Sequence, residues 1–332
     1  MKIDKTALVT FFIAITLLLF TSCPPPEDNN SETTRTITGT VLSIISLEPV
    51  ASASVFLGGK ATTTDSNGNF SVSIADTLDD TVLNIRKTGF GLFSRPMTDT
   101  GVETISMDVK LVPADVTVTI DPLEPAAHTV ETSDGASVEI PDLSDLGITE
   151  ELVVSLVHYD VSSTELASVP GDFTGINEGT GAAFFIASQG MLQIDITGAE
   201  TGNDYSFDGE ELTFTIVIPC TGDPAARPAT IELWYYDEEA GVWIEDGSAS
   251  LQQNATTGVW EYEGTVTHFT VWNMDYKLET LVCVHGTIDD PDDDTYTISL
   301  RGAGLYRETT IMDKDLTIIN LPPSRGVQLT VR

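Results

Sequence analysis

The chain has 332 residues, with 15 Lys and Arg against 51 Asp and Glu, a net charge of −36. That excess of acid argues against nucleic acid as a partner, because binding it takes clustered Lys and Arg that displace counterions. A chain of this length holds two or three domains. At its start, Lys2 and Lys5 precede Ala7–Phe20, an apolar run of 14 residues broken only by Thr10 and Thr16. A bilayer span takes about 20 residues, so the run reads as the core of a secretory signal.

The run closes on LLLFTSC, ending at Cys23. This segment resembles the lipobox of bacterial lipoproteins, in which the Cys becomes the new N-terminus and carries the lipid. Phe20 departs from the strictest form, which has a smaller aliphatic residue there. The resemblance implies that residues 1–23 are signal and lipobox, that Cys23 is the lipid-attachment site, and that the membrane is met through that lipid. An ordinary cleaved signal with an incidental Cys is the alternative. Residues 24–35, opening PPPEDNNSETT, have little to bury and read as an extended tether. Pro24 rather than Asp follows the Cys, which points to the outer membrane.

Beyond the tether the pattern has a period of two. Phe70, Val72 and Ile74 alternate with Ser71 and Ser73; Ile105, Met107, Val109 and Leu111 alternate with polar residues. Val116, Val118 and Ile120 do so with Thr, and Phe214, Ile216 and Ile218 repeat the pattern before Pro219. This is the signature of half-buried strands separated by turns. Only Pro141–Leu152 is suited to a turn or two of helix. The expected class is all-β, as tandem sandwiches. Composition and Pro positions divide it at 36–113, 114–277 and 278–332. GTV at Gly39, SVFLGG at Ser54 and TTTDSNGNFSVSI at Thr62 are echoed by GTI at Gly286, TISLRG at Thr297 and TTIMDKDLTIINLP at Thr309. The echo suggests a repeated module, arranged as beads on a string, with the third block short after about one hairpin.

Two of the blocks resemble known modules. Gly39-Thr40-Val41, Pro49-Val50-Ala51 leading to Ala53-Ser54-Val55, and Thr64–Phe70 make 36–113 similar to a carboxypeptidase regulatory-like domain. That resemblance implies a transthyretin-like seven-stranded sandwich with an accessory, non-catalytic role. Val138–Pro141, Pro170–Phe173, Gly190–Leu192, Ile231–Trp243 and His268–Asp275 make 114–277 resemble a β-rich ectodomain. Such ectodomains occur in bacterial surface lipoproteins and in animal extracellular proteins such as cartilage intermediate layer protein, and they imply adhesion or scaffolding.

Candidate chemistry is sparse. TTTDSNGNF has the spacing of half a calcium loop, but a helix-flanked loop needs Gly at its sixth position and two helices. Counted from Asp65 the sixth residue is Phe70, so a tight turn fits better. The run DDPDDD at Asp289–Asp294 reads as a solvated loop rather than a cation site. His128, His158, His268 and His285 form no zinc-type pair, and no Gly-x-Ser-x-Gly elbow occurs; His268 reads as a satisfied strand residue. The expectation is therefore no enzyme, no metal and no cofactor. Cys220 and Cys283 are an even pair in an exported chain and a candidate disulfide. In IELWYYD, Trp234 and Tyr236 share a strand face, and Trp260 and Tyr262 repeat that spacing in VWEYEG. These four rings are candidates for stacking on a glycan or anchoring a protein; the competing reading is that both faces are covered and the rings are core, as expected of Trp243 and Trp272. The functional expectation is a lipid-anchored adhesion or scaffold module of the cell envelope. A carbohydrate-binding lipoprotein, or an accessory part of a larger envelope hydrolase, is the alternative.

Overall fold

Phe70, Val72 and Ile74 are buried and Asn69, Ser71 and Ser73 exposed, the alternation of a strand with one wet face. The same rule holds for other strands of the computed structural model, among them Phe214–Pro219. The structure describes residues 34–75, 78, 81–98, 101–161, 163–207, 212–220, 223–278, 282–288, 296–302, 305–311, 315–321 and 328–331. Cys23, most of the tether, the Cys283 side chain and the acidic run 289–294 lie outside the described residues.

Among the described residues the first block has seven strands: β1 (Arg35–Ser43), β2 (Ser54–Leu57), β3 (Lys60–Thr63), β4 (Asn69–Ile74), β5 (Val82–Arg86), β6 (Phe93–Pro96) and β7 (Thr104–Leu111). They form a three-stranded sheet, β4-β1-β7, and a four-stranded sheet, β3-β2-β5-β6. The β7 strand runs parallel to β1. Ile37, Val41, Val55, Leu57, Leu83 and Ile85 fill the space between the sheets.

The stretch TTTDSNGNF joins those two sheets, since β3 belongs to one and β4 to the other. It is a corner and not the tip of a hairpin. The Asp65 carboxylate accepts from the backbone N–H of Asn67 at 2.8 Å and of Asn69 at 2.9 Å. Those bonds, Asn69 first, hold its carboxyl below the usual range. Gly68 has φ +78°, and a Cβ there would collide with the Val41 carbonyl, so only glycine closes the turn.

The middle block contains β8 (Val116–Ile120), β9 (His128–Glu131), β10 (Ser137–Ile140), β11 (Leu152–Tyr159), β12 (Thr174–Asn177), β13 (Ala183–Gly198), β14 (Phe214–Pro219), β15 (Thr230–Asp237), β16 (Val242–Gln253), β17 (Trp260–Val266) and β18 (Val271–Lys277). All eleven belong to one sheet, in the order β8-β11-β13-β18-β15-β16-β17-β14-β10-β9, with β12 beside β13 and β16. Ile120 and Val130, from opposite ends of that order, share a core with Leu156, Ile194, Phe214 and Trp272. The sheet therefore bends over on itself. Helix is confined among the described residues to short 3-10 turns, including Ser144–Leu146 within the stretch expected to hold one.

Among the described residues the third block has five strands rather than one hairpin: β19 (Val282–Thr287), β20 (Tyr296–Gly302), β21 (Leu305–Ile311), β22 (Asp315–Leu321) and β23 (Gln328–Val331). Their pairing repeats that of the first five strands of the chain. There β1 pairs with β4, and β2 with β3 and β5; here β19 pairs with β22, and β20 with β21 and β23.

Beads on a string do not describe the junction of the first two blocks. Leu92 and Val112 of the first block are buried in one cluster with Val157, Tyr159, Phe173, Trp234, Tyr236 and Trp243 of the second. Arg95, on β6, is buried. Its guanidinium donates to the carbonyls of Ala167, Val169 and Gly171. Gly171 N–H in turn donates to the Ser94 carbonyl at 2.9 Å. Arg86 pairs with Glu238, and Asn84 donates to the Glu238 carbonyl at 2.9 Å. Gly91 lets Tyr159 close in, because a Cβ on it would overlap the Tyr159 hydroxyl.

Candidate functional site

The four aromatic candidates do not form one exposed patch. Trp234, Tyr236 and Tyr262 are buried; Trp260 alone stays accessible, at 37%. Strand alternation does put Trp234 and Tyr236 on one face of β15, but the connection before β12 and the docked first block cover that face. The Tyr236 hydroxyl meets Ser94 of the first block at 2.7 Å, and Tyr262 donates to the Pro228 carbonyl at 2.9 Å. Trp243 and Trp272 are core, as expected. His268 lies in a bend between β17 and β18 rather than in a strand. It packs edge-on to Tyr235, ring centroids 4.8 Å apart, and gives its carbonyl to the Trp272 indole at 3.1 Å. Cys220 carries a free thiol.

A different place gathers polar groups. Where the first block rests on β8, β11 and β13 it leaves a recess of about 280 Å³. Its floor is the outward face of those strands, in register. Thr117 pairs with Ser155 and Ser155 with Asp195, a row across three strands. Val153 and Thr197 form the next row, and Gln193 lies on the far side. The opposite face of the same strands carries Val154, Leu156, Ile194 and Ile196 into the core. The roof is the connection from β5 to β6, with Arg86, Lys87, Thr88 and Phe90. Backbone bonds tie this connection to the linker, Gly91 N–H to the Val112 carbonyl at 2.7 Å and Ala114 N–H to the Gly89 carbonyl at 2.9 Å.

Gln193 locks roof to floor. Its Oε1 accepts from Leu92 N–H at 2.7 Å and from the Tyr159 hydroxyl at 2.9 Å. With its oxygen so occupied, its Nε2 faces Asp195 and donates to Oδ2 at 2.7 Å. The Asp195 carboxyl is pushed up to about 6 by burial. The Gln193 amide and the charge of Arg86 pull the other way, while Asp204 and Glu238 add to the rise. Burial strips water from a carboxylate without supplying a full countercharge.

That shift has a consequence for stability. A carboxyl whose folded value exceeds the unfolded one favours folding while protonated, so its contribution is complete below about pH 4 and is lost as pH rises through about 6. The difference in unfolding free energy between Asp195→Asn and the parent chain should therefore grow by about 1–3 kcal/mol from pH 4 to 7, in favour of the variant. Urea unfolding of both at each pH measures it; a flat difference contradicts the assignment.

Sequence reading missed this recess. Gln193, Asp195 and Thr197 in QIDIT alternate with Ile194 and Ile196, which marks a polar strand face but not what covers it. Among the described residues no group of His, Cys, Asp and Glu could hold a metal ion, and no helix is long and apolar enough to cross a membrane.

The architecture is all-β, with two docked β units followed by strands that repeat the pairing pattern of β1–β5. No protein-family model and no curated protein matches the chain. Among solved structures it is similar to a proposed membrane-associated protein of unknown function from Bacteroides fragilis, at 11% identity and a TM-score of 0.22, over 74% of this chain and 98% of that one. It is also similar to a proposed carbohydrate binding protein from Bacteroides uniformis, at 10% identity and a TM-score of 0.19, over 86% and 99% of the two chains. At these scores neither likeness carries an argument about function.

Proposed function

We propose that this chain is a non-catalytic binding protein of the cell envelope, held at the outer membrane through lipid on Cys23. In this reading 36–113 is a carboxypeptidase regulatory-like module; seven strands in sheets of three and four support it. The observation that carries the binding role is the junction. A recess lined by hydroxyls, an amide and opposed charges, fixed between two docked units, is preorganised for a ligand. The glycan reading based on four exposed rings loses its support, because three of them are core.

Two experiments test the proposal. Cys23→Ser should move the protein from the membrane pellet to the soluble fraction, and continued pelleting contradicts the anchor. Thr117→Trp, which fills the recess from an exposed floor position, should abolish capture on panels of glycans, small metabolites and extracellular proteins while leaving pelleting unchanged. Undiminished capture places the ligand elsewhere, and recovery of a cleaved ligand overturns the non-catalytic reading.

A further inference from the structure

Charge is segregated across the recess. The chain has only 15 basic residues, and two consecutive ones, Arg86 and Lys87, stand on the roof. Arg86 is engaged by Glu238. Lys87 has a single long contact among the described residues, to the Ser52 carbonyl at 3.4 Å, so its ammonium has donors to spare. The floor side carries two carboxylates, Asp195 on β13 and Asp204, which bridges to Thr197 of the same strand. Among the described residues Gln193 alone donates a hydrogen bond to Asp195, which leaves one carboxylate oxygen for a ligand. Phe90 on the roof and Val153 on the floor supply apolar surface.

We infer that the recess binds a small zwitterion, a free amino acid or a short peptide, with its ammonium against Asp195 and Asp204 and its carboxylate against Lys87. The inference rests on the binding role proposed above. A neutral polyol would suit the hydroxyls but has no use for cations on the roof and anions on the floor side. Opposed fixed charges select a dipolar ligand in one orientation and reject either single charge, because each half leaves one desolvated group unpaired. The volume, just under the roughly 300–1,000 Å³ of drug-sized sites, limits the ligand to about one or two residues.

Calorimetry on the detergent-solubilised full chain tests this with leucine and leucylglycine, with leucinamide and N-acetylleucine as single-charge analogues, and with neutral mono- and disaccharides. The expected result is binding of the two zwitterions, weakened at least tenfold in both single-charge analogues. Lys87→Gln should weaken the zwitterions about tenfold and leave leucinamide unchanged; Asp195→Asn should do the same and leave N-acetylleucine unchanged. Neither variant removes a packed apolar group, so both retain the fold. Zwitterion affinity should also fall as pH drops below about 6, where Asp195, facing Arg86, Asp204, Glu238 and Gln193, takes up a proton; Asp195→Asn should lose that dependence. Binding of a neutral saccharide that Thr117→Trp abolishes overturns the zwitterion and leaves the recess as the site. Silence of every probe overturns the inference, and silence of the wider capture panels as well overturns the binding role with it.

Discussion

Replacing Trp234 by Ala is expected to cost about 3–5 kcal/mol of stability, the range for truncating a large core side chain. The indole is fully buried, and its six-membered ring packs so closely on Gly175 that a Cβ there would lie 2.6 Å from Cζ3. The surroundings are fixed by sheet pairing on both sides, β16 and β18, so the cavity cannot close by a simple shift of the strand. The melting temperature should fall by on the order of 10 °C. Trp260→Ala is the control: its ring is 37% exposed, and the expected loss is under about 1 kcal/mol. Calorimetric melting of both variants decides the matter. Equal small losses would mean that Trp234 is a surface ring after all.

Arg95→Ala is expected to cost about 3–5 kcal/mol and to separate the unfolding of the first block from that of the second. The buried guanidinium donates to three carbonyls of the segment 167–171 and lies over the Phe93 ring, 4.6 Å from its centroid. Hydrogen bonds from a charged donor contribute about 1.5–3 kcal/mol each, and removing the donor leaves the acceptors buried and unpaired. The loss falls on the junction rather than within either core. Heat capacity should therefore show two transitions in place of one, and limited proteolysis should cut between β7 and β8. A single transition at the parent temperature would show that the junction holds without Arg95.

The strands were legible where one face is wet. Phe70, Val72 and Ile74, or Phe214, Ile216 and Ile218, report their burial directly, because side chains alternate with period two. IELWYYD defeated that logic: both faces of β15 are covered, so the alternation of Trp234 and Tyr236 with Leu233 and Tyr235 carries no information about exposure. The recess was illegible for a related reason. QIDIT shows a polar face, yet its roof comes from Arg86–Leu92, about a hundred residues earlier, and only the docking of the first block on the second brings it there. The corner at Asp65–Gly68 was readable as a turn, since the Asp65 carboxylate accepts from the backbone N–H groups two and four residues on; which sheets it joins depends on partners far along the chain.

The strands β1–β5 and β19–β23 share one pattern of partners. In the first block the grip on the neighbouring block comes from β5, through Asn84 and Arg86, and from the segment after it, through Leu92, Ser94, Arg95 and Val112. The shared pairing therefore specifies a ladder and not an attachment: docking is left to the side chains carried on and beyond its fifth strand.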